Sequence, residues 1–163
     1  SLIAGMNLGA TVAWTIKEDY LAVGGTESDW NRLCPNCGNN KLGPITANKI
    51  LKERTSSWTK LDEDQITLPS GQQIATAGGD TKWTESHYTG TKLPTWLYSH
   101  TNFVAGTFFY WTSTPYSYFF GIDKESYRAW LVTYDGYIGN EFVSRSDAVS
   151  IRPVITVSKS NLN

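Results

Sequence analysis

Two cysteines separated by two residues, Cys34-Pro35-Asn36-Cys37, form the tightest cluster of reactive side chains in the sequence. Two thiolates at this spacing can supply half of a tetrahedral zinc site, with His87 and His100 completing it. No second cysteine pair is present, and the two histidines are not spaced as in a zinc finger. A redox dithiol needs a strand-to-helix setting that depresses one thiol pKa. The residues that follow, Gly38-Asn39-Asn40, are turn-forming instead. The plainest reading of Cys34 and Cys37 is a local disulfide or a free pair, and neither a metal nor a cofactor is expected.

The remaining polar groups carry less chemistry. His87 and His100 have no Ser, Cys or carboxylate at a telling spacing and read as surface histidines. Leu61-Asp62-Glu63-Asp64 offers hard oxygens suited to calcium, but reads as a solvated turn. Gly24-Gly25 and Gly78-Gly79 lack the strand–GxGxxG–helix setting of a nucleotide site.

The tyrosine-dense stretch is the feature that calls for a function. Sixteen of the 22 aromatic residues fall between positions 96 and 142. Tyr110-Trp111 suits a core strand. The run Tyr116-Ser117-Tyr118-Phe119-Phe120, between Pro115 and Gly121, suits a loop. Tyr and Ser together are what protein-binding loops use, because Tyr offers large contact area at low rotamer cost and Ser adapts its hydrogen bonds. Tyr116, Tyr118, Phe119, Tyr127 and Tyr137 are the expected surface anchors. Ser117, Lys124, Ser126, Tyr134, Asp135, Asn140 and Ser144 complete the expected binding surface within residues 116–147. Trp111, Ala129, Trp130 and Val132 are expected in the core.

Short elements must hold this surface. Residues 11–14 read as a strand, and Thr46 as the cap of a helix running through Ala47, Ile50 and Leu51 toward Trp58. Residues 66–68 and 74–77 read as short extended pieces, with 69–71 a turn between them, and Pro94 as an early residue of a helix. From residue 108 the character becomes β. Residues 108–112 and 128–134 read as strands, Asp135-Gly136 as a hairpin turn, and 137–143 as the returning strand. Residues 150–157 read as a final strand, in which Pro153 lacks a donor and belongs at an edge or a bulge. Helices early and an antiparallel sheet late predict an α+β fold.

Composition narrows the function classes. The 163 residues suit a single domain spanning 1–163. Lys and Arg number 14 against 15 Asp and Glu, for a net charge of −1. Nucleic-acid binding needs a basic face to displace counterions, so no nucleic-acid partner is expected. A polybasic membrane patch is disfavoured on the same ground. No segment is long and apolar enough to span a bilayer. With no initiator Met and no basic n-region, the chain is expected to be a mature or truncated form whose targeting segment has been removed.

The C-terminal half also carries a family likeness. The order Leu93-Pro94-Thr95-Trp96, Tyr110-Trp111-Thr112-Ser113-Thr114, Ala129-Trp130-Leu131-Val132 with a Gly136 turn, and Ile151-Arg152-Pro153-Val154 resembles bacterial C-type-lectin-like domains. That group includes the formylglycine-generating-enzyme fold and the variable proteins of diversity-generating retroelements. In the N-terminal half, Val12-Ala13-Trp14, Asp19-Tyr20, Gly43-Pro44-Ile45-Thr46-Ala47 and Thr55-Ser56-Ser57-Trp58-Thr59 resemble prepilin-like surface proteins that carry such a module.

The likeness implies two short helices, a small twisted antiparallel sheet and long loops, with Trp111, Trp130, Arg152 and Pro153 as scaffold. It implies a cell-surface or extracellular location and a protein or glycan ligand on another surface. The recognition surface would be one that siblings vary. The alternative it implies is a pilin-like subunit whose partners are other subunits of a surface filament. The enzyme branch uses cysteines in its C-terminal part. None follows Cys37 here, so no enzymatic activity is expected. The sugar motifs Glu-Pro-Asn and Gln-Pro-Asp are also absent.

Overall fold

The computed structural model describes residues 2–3, 11–59, 61–62, 65–99, 108–117, 119–120, 123–124 and 126–156. It is an α+β arrangement in which four short helices precede most of the β-structure. The helices are α1 (Lys17–Ala22), α2 (Glu27–Trp30), α3 (Ile45–Thr55) and α4 (Gly71–Gly78). The strands are β1 (Leu2–Ile3), β2 (Ile66–Thr67), β3 (Phe109–Pro115), β4 (Phe119–Phe120), β5 (Asp123–Lys124), β6 (Arg128–Thr133), β7 (Ile138–Phe142), β8 (Val149–Ser150) and β9 (Val154–Ile155). A four-stranded sheet has the order β7-β6-β3-β8, antiparallel except for the β3–β8 pair. A second sheet, β1-β9-β2, is antiparallel and joins the start of the chain to its end.

The larger sheet is covered on both faces. Trp111, Ala129 and Leu131 face a cluster with Trp14, Trp30, Ala47 and Leu51 from the N-terminal half. Tyr110, Trp130 and Val132 face a cluster with Ile74 and Ala75 of α4, Trp83, Leu93 and Leu97. This explains why β6 runs through four consecutive buried residues, since a strand covered on both sides need not alternate.

Four sequence expectations are corrected. Residues 11–14 form no ladder. They lie along β3 through two indoles, Trp111 Nε1 donating to the Val12 carbonyl and Trp14 Nε1 to the Thr112 carbonyl, each at 2.8 Å. Thr46 does not cap α3, which begins at Ile45. Its hydroxyl instead accepts from the Ile16 N–H and donates to Asp19, docking α1. Residues 71–78 are helical, not extended, because Ser70 and Gln73 close a reciprocal capping box. The final strand is two. β8 belongs to the larger sheet and β9 to the smaller, with buried Ile151, Arg152 and Pro153 between them, and Pro153 makes no demand on either ladder. In addition, Pro94 opens only a single 3₁₀ turn, Thr95–Leu97.

A bulge in β3 shapes the site. Trp111 pairs with Leu131 and Pro115 with Ala129, so four steps on β3 match two on β6. The diverted stretch meets α4: the Ser113 N–H donates to the Pro69 carbonyl, and the Thr114 hydroxyl accepts from the Gly71 N–H. Bulges re-aim the residues that follow them. Here the next residue is Tyr116.

Candidate functional site

The expected surface divides between the two ends of the β6–β7 hairpin. At the open end lie Tyr116, Ser117, Ser126, Tyr127 and Asn140. At the turn end lie Tyr134, Asp135 and Tyr137. Six residues of β6 separate them, about 20 Å at the usual rise. Tyr118 lies outside the described residues. Phe119 and Lys124 are paired with each other in the β4–β5 ribbon, close in sequence to the open end.

At the open end, register creates a platform. Arg128 pairs with Phe142, and Trp130 with Asn140, so all four side chains share a sheet face. The Arg128 guanidinium lies 4.4 Å over the Phe142 ring and 5.4 Å from the Tyr127 ring. The two rings are stacked at 5.3 Å. Asn140 accepts from Arg128 at 2.9 Å, which anchors the guanidinium beside the rings. Phe142 is 38 % exposed, so the stack faces solvent. Arginine on aromatic faces combines apolar area with directional donors, a combination enriched in recognition surfaces.

Beside the platform is a cleft of about 530 Å³, within the range of ligand sites. One wall is the 29–41 segment, with Asp29, Arg32 and Lys41 at its rim and Asn39 and Asn40 deeper. The other is Tyr116, Ser117 and Ser126. Tyr116 corrects the sequence reading. Only 9 % exposed, its ring packs on Trp130 at 4.7 Å and its N–H continues the pairing to Arg128, so it floors the cleft and is not a projecting anchor. Ser117 is held by the Glu85 carbonyl through both its N–H and its hydroxyl. Trp130 Nε1 donates to the same carbonyl.

Asn40 ties the two walls together. Its Nδ2 donates to the Tyr116 carbonyl at 3.0 Å and the Arg128 carbonyl at 2.7 Å. Its own N–H donates to the Ser126 carbonyl at 2.6 Å. One asparagine thus bridges the ends of β3 and β6 where the cleft opens. Asn39 shapes the rim, donating to the Asp29 carbonyl and accepting from the Lys41 N–H.

Cys34 and Cys37 are joined as a disulfide, with Cα atoms 5.3 Å apart. The loop they close is followed by Gly38, whose N–H donates to the Trp30 carbonyl. Gly38 has φ +95°, and a Cβ there would meet Val143 at 2.6 Å. Ser144 donates to the Cys37 carbonyl at 3.5 Å, so this expected site residue serves the disulfide loop.

The turn end is a separate aromatic surface. Lys92 Nζ sits 5.2 Å from the Tyr98 ring and 5.4 Å from the Tyr137 ring. It also donates to the Asp135 carbonyl. Tyr134 packs with Phe108 and Phe109 and stays 43 % exposed.

Of the expected scaffold residues, Trp111, Trp130 and Arg152 are fully buried and Pro153 is buried. Arg152 lies 4.2 Å over the Tyr110 ring and donates to the Leu97 carbonyl at 3.0 Å. Burial lowers its pKa, with Tyr110 opposing. Burial likewise pushes the Tyr110 phenol above its ordinary range, against Arg152.

Sequence reasoning missed Arg128, Phe142, Asn39 and Asn40. Arg128 and Phe142 could have been found by carrying the hairpin register outward from Asp135-Gly136. The asparagines gave only a turn signal. Among the described residues, no group of three or more His, Cys, Asp or Glu could hold a metal ion. No helix of those residues is long and apolar enough to cross a membrane. No family model, curated protein or solved structure matches the chain.

Proposed function

We propose that this chain is a non-enzymatic recognition domain with a C-type-lectin-like scaffold, displayed on a cell surface or outside the cell, that binds a protein or glycan on another surface. The observation that carries this reading is the joining of two surfaces at one end of the hairpin. A solvent-facing stack of Tyr127, Phe142 and Arg128 adjoins a cleft floored by Tyr116 and edged by polar side chains. The stack supplies area to desolvate, and the amides, hydroxyls and charges of the cleft fix orientation. The scaffold assignment rests on the sequence resemblance. The α+β architecture agrees with it, but the chain has four short helices where the likeness implies two, and its larger sheet has one parallel pair, β3–β8. Variation among siblings would fall on the 116–147 stretch if the retroelement likeness holds.

The test is a panel of defined glycans and purified surface proteins, probed with the native chain and with Tyr127→Ser/Phe142→Ser. The reading expects a ligand that the double variant loses while still folding and unfolding in one cooperative transition, a few degrees below the native chain. A ligand bound equally by both chains refutes the site.

One observation favours a second reading, a filament subunit. The turn end exposes Tyr134, and Trp96 elsewhere is 52 % exposed, as an unoccupied subunit interface would. That reading expects concentration-dependent self-association abolished by Tyr134→Ser, with no foreign ligand.

A further inference from the structure

We propose that the Cys34–Cys37 disulfide is a redox-sensitive latch on the cleft. Its regulatory consequence rests on the cleft being the binding site, but the mechanical coupling does not. Three observations carry it.

First, the two sulfurs differ in access: Cys34 is exposed and Cys37 is buried. A dithiol reductant therefore attacks at Cys34. Its thiolate bonds to Cys34 Sγ, the disulfide bond breaks, and Cys37 leaves as the thiolate. The second thiol of the reductant then displaces Cys34 from the mixed disulfide. The reductant departs as its own disulfide, and its two protons end on Cys34 and Cys37.

Second, the disulfide closes a ring only three residues apart in sequence. Such a small ring contributes little to the entropy of the whole unfolded chain, because the effect grows with loop length. Opening it therefore acts locally and leaves the sheet folded.

Third, the loop is wired directly to the cleft. The Cys37 N–H donates to the Cys34 carbonyl, and the Asn36 N–H to Asn31 Oδ1, with Asn36 held at φ 61°. Gly38 follows, wedged under Val143 and Trp30 where no side chain fits. Two residues later Asn40 grips the Tyr116, Arg128 and Ser126 carbonyls. Releasing the disulfide frees Asn36 from its left-handed conformation and lets Gly38 shift, and the Asn40 bridge loosens. Cleft wall and disulfide thus open as one local unit.

The experiment is residue-resolved amide hydrogen exchange on the full chain, oxidised and after dithiothreitol, with Cys34→Ser/Cys37→Ser as a second form of the open loop. Exchange at Gly38 and Asn40 is expected to quicken by about tenfold or more on reduction, while amides of the β6–β7 ladder are unchanged. Equal exchange in both states overturns the latch. So does equal acceleration of the ladder amides or failure of both open forms to fold, since the disulfide would then staple the whole fold. A titration showing two free thiols in the untreated chain overturns it as well. No ligand enters this measurement, so the latch can fail while the binding site stands, and the reverse.

Discussion

Replacing Asn40 with Ala removes the bridge between β3 and β6 without touching either strand. Asn40 is 8 % exposed, so the lost groups are largely dry. Its two side-chain donations reach the Tyr116 and Arg128 carbonyls. The Arg128 carbonyl also accepts from the Tyr116 N–H at 3.0 Å, so it keeps a donor when the Asn40 amide is gone. The loss is therefore two side-chain hydrogen bonds to backbone carbonyls, together about 1–3 kcal/mol. In a domain of this size that lowers the unfolding temperature by about 2–12 °C. The assay is urea and thermal unfolding of Asn40→Ala beside the native chain. Asn40→Asp adds a sign test. Its carboxylate would face two carbonyl oxygens, so the folded state would favour the proton. A raised folded pKa means that stability is greatest at low pH and is lost as the pH rises through that value. Asn40→Asp should thus approach the native chain in acid and fall further below it at neutral pH. A loss under about 0.5 kcal/mol for Asn40→Ala, or no pH dependence in Asn40→Asp, would refute the bridge.

Further outcomes follow from other contacts. Burial raises the Asp80 carboxyl pKa, but donations from Thr89, from the Lys82 and Trp83 N–H groups and from Thr91 outweigh it and hold it below the ordinary value. That stability is present above the unfolded pKa of about 3.9 and lost as the pH falls through the folded value, so Asp80→Asn should flatten the acid limb of a pH–stability curve. Gly24 and Gly136 both have positive φ, but only a Cβ at Gly136 would strike the Tyr98 ring, at 2.5 Å. Gly24→Ala should cost about 1–2 kcal/mol in denaturant unfolding, and Gly136→Ala about 1–3 kcal/mol more. Phe142→Ala loses the Arg128 and Tyr127 contacts at the surface. It should lower stability by only about 1–2 kcal/mol in a denaturant melt.

The hairpin was the most legible element. Strand residues flank Asp135-Gly136, and the ladder runs from Val132–Ile138 out to Arg128–Phe142. The helix α4 was equally readable, since Ser70 and Gln73 stand at capping-box spacing, but Gly71 and the short apolar run drew the reading toward turn and strand. The helices α1 and α2 left no periodic signal in six and four residues. They are held by tertiary contact, including Tyr20 on Trp30 at 5.3 Å. The same limit governs the site. Which aromatics belong to the hairpin is a local matter, and the sequence showed it. That Tyr116 turns inward depends on a bulge and on Trp130. That Asn40 closes the cleft depends on a partner 76 residues away. Neither is encoded in spacing.

The central idea is tested most directly by amide and side-chain chemical-shift mapping of the native chain titrated with whichever glycan or surface protein the panel identifies. The account predicts shifts that converge on Tyr127, Arg128, Phe142 and the Asn40 side-chain amide, and that vanish in Tyr127→Ser/Phe142→Ser. Shifts centred instead on Tyr134, Tyr137 and Trp96, with the open end of the hairpin silent, would contradict it.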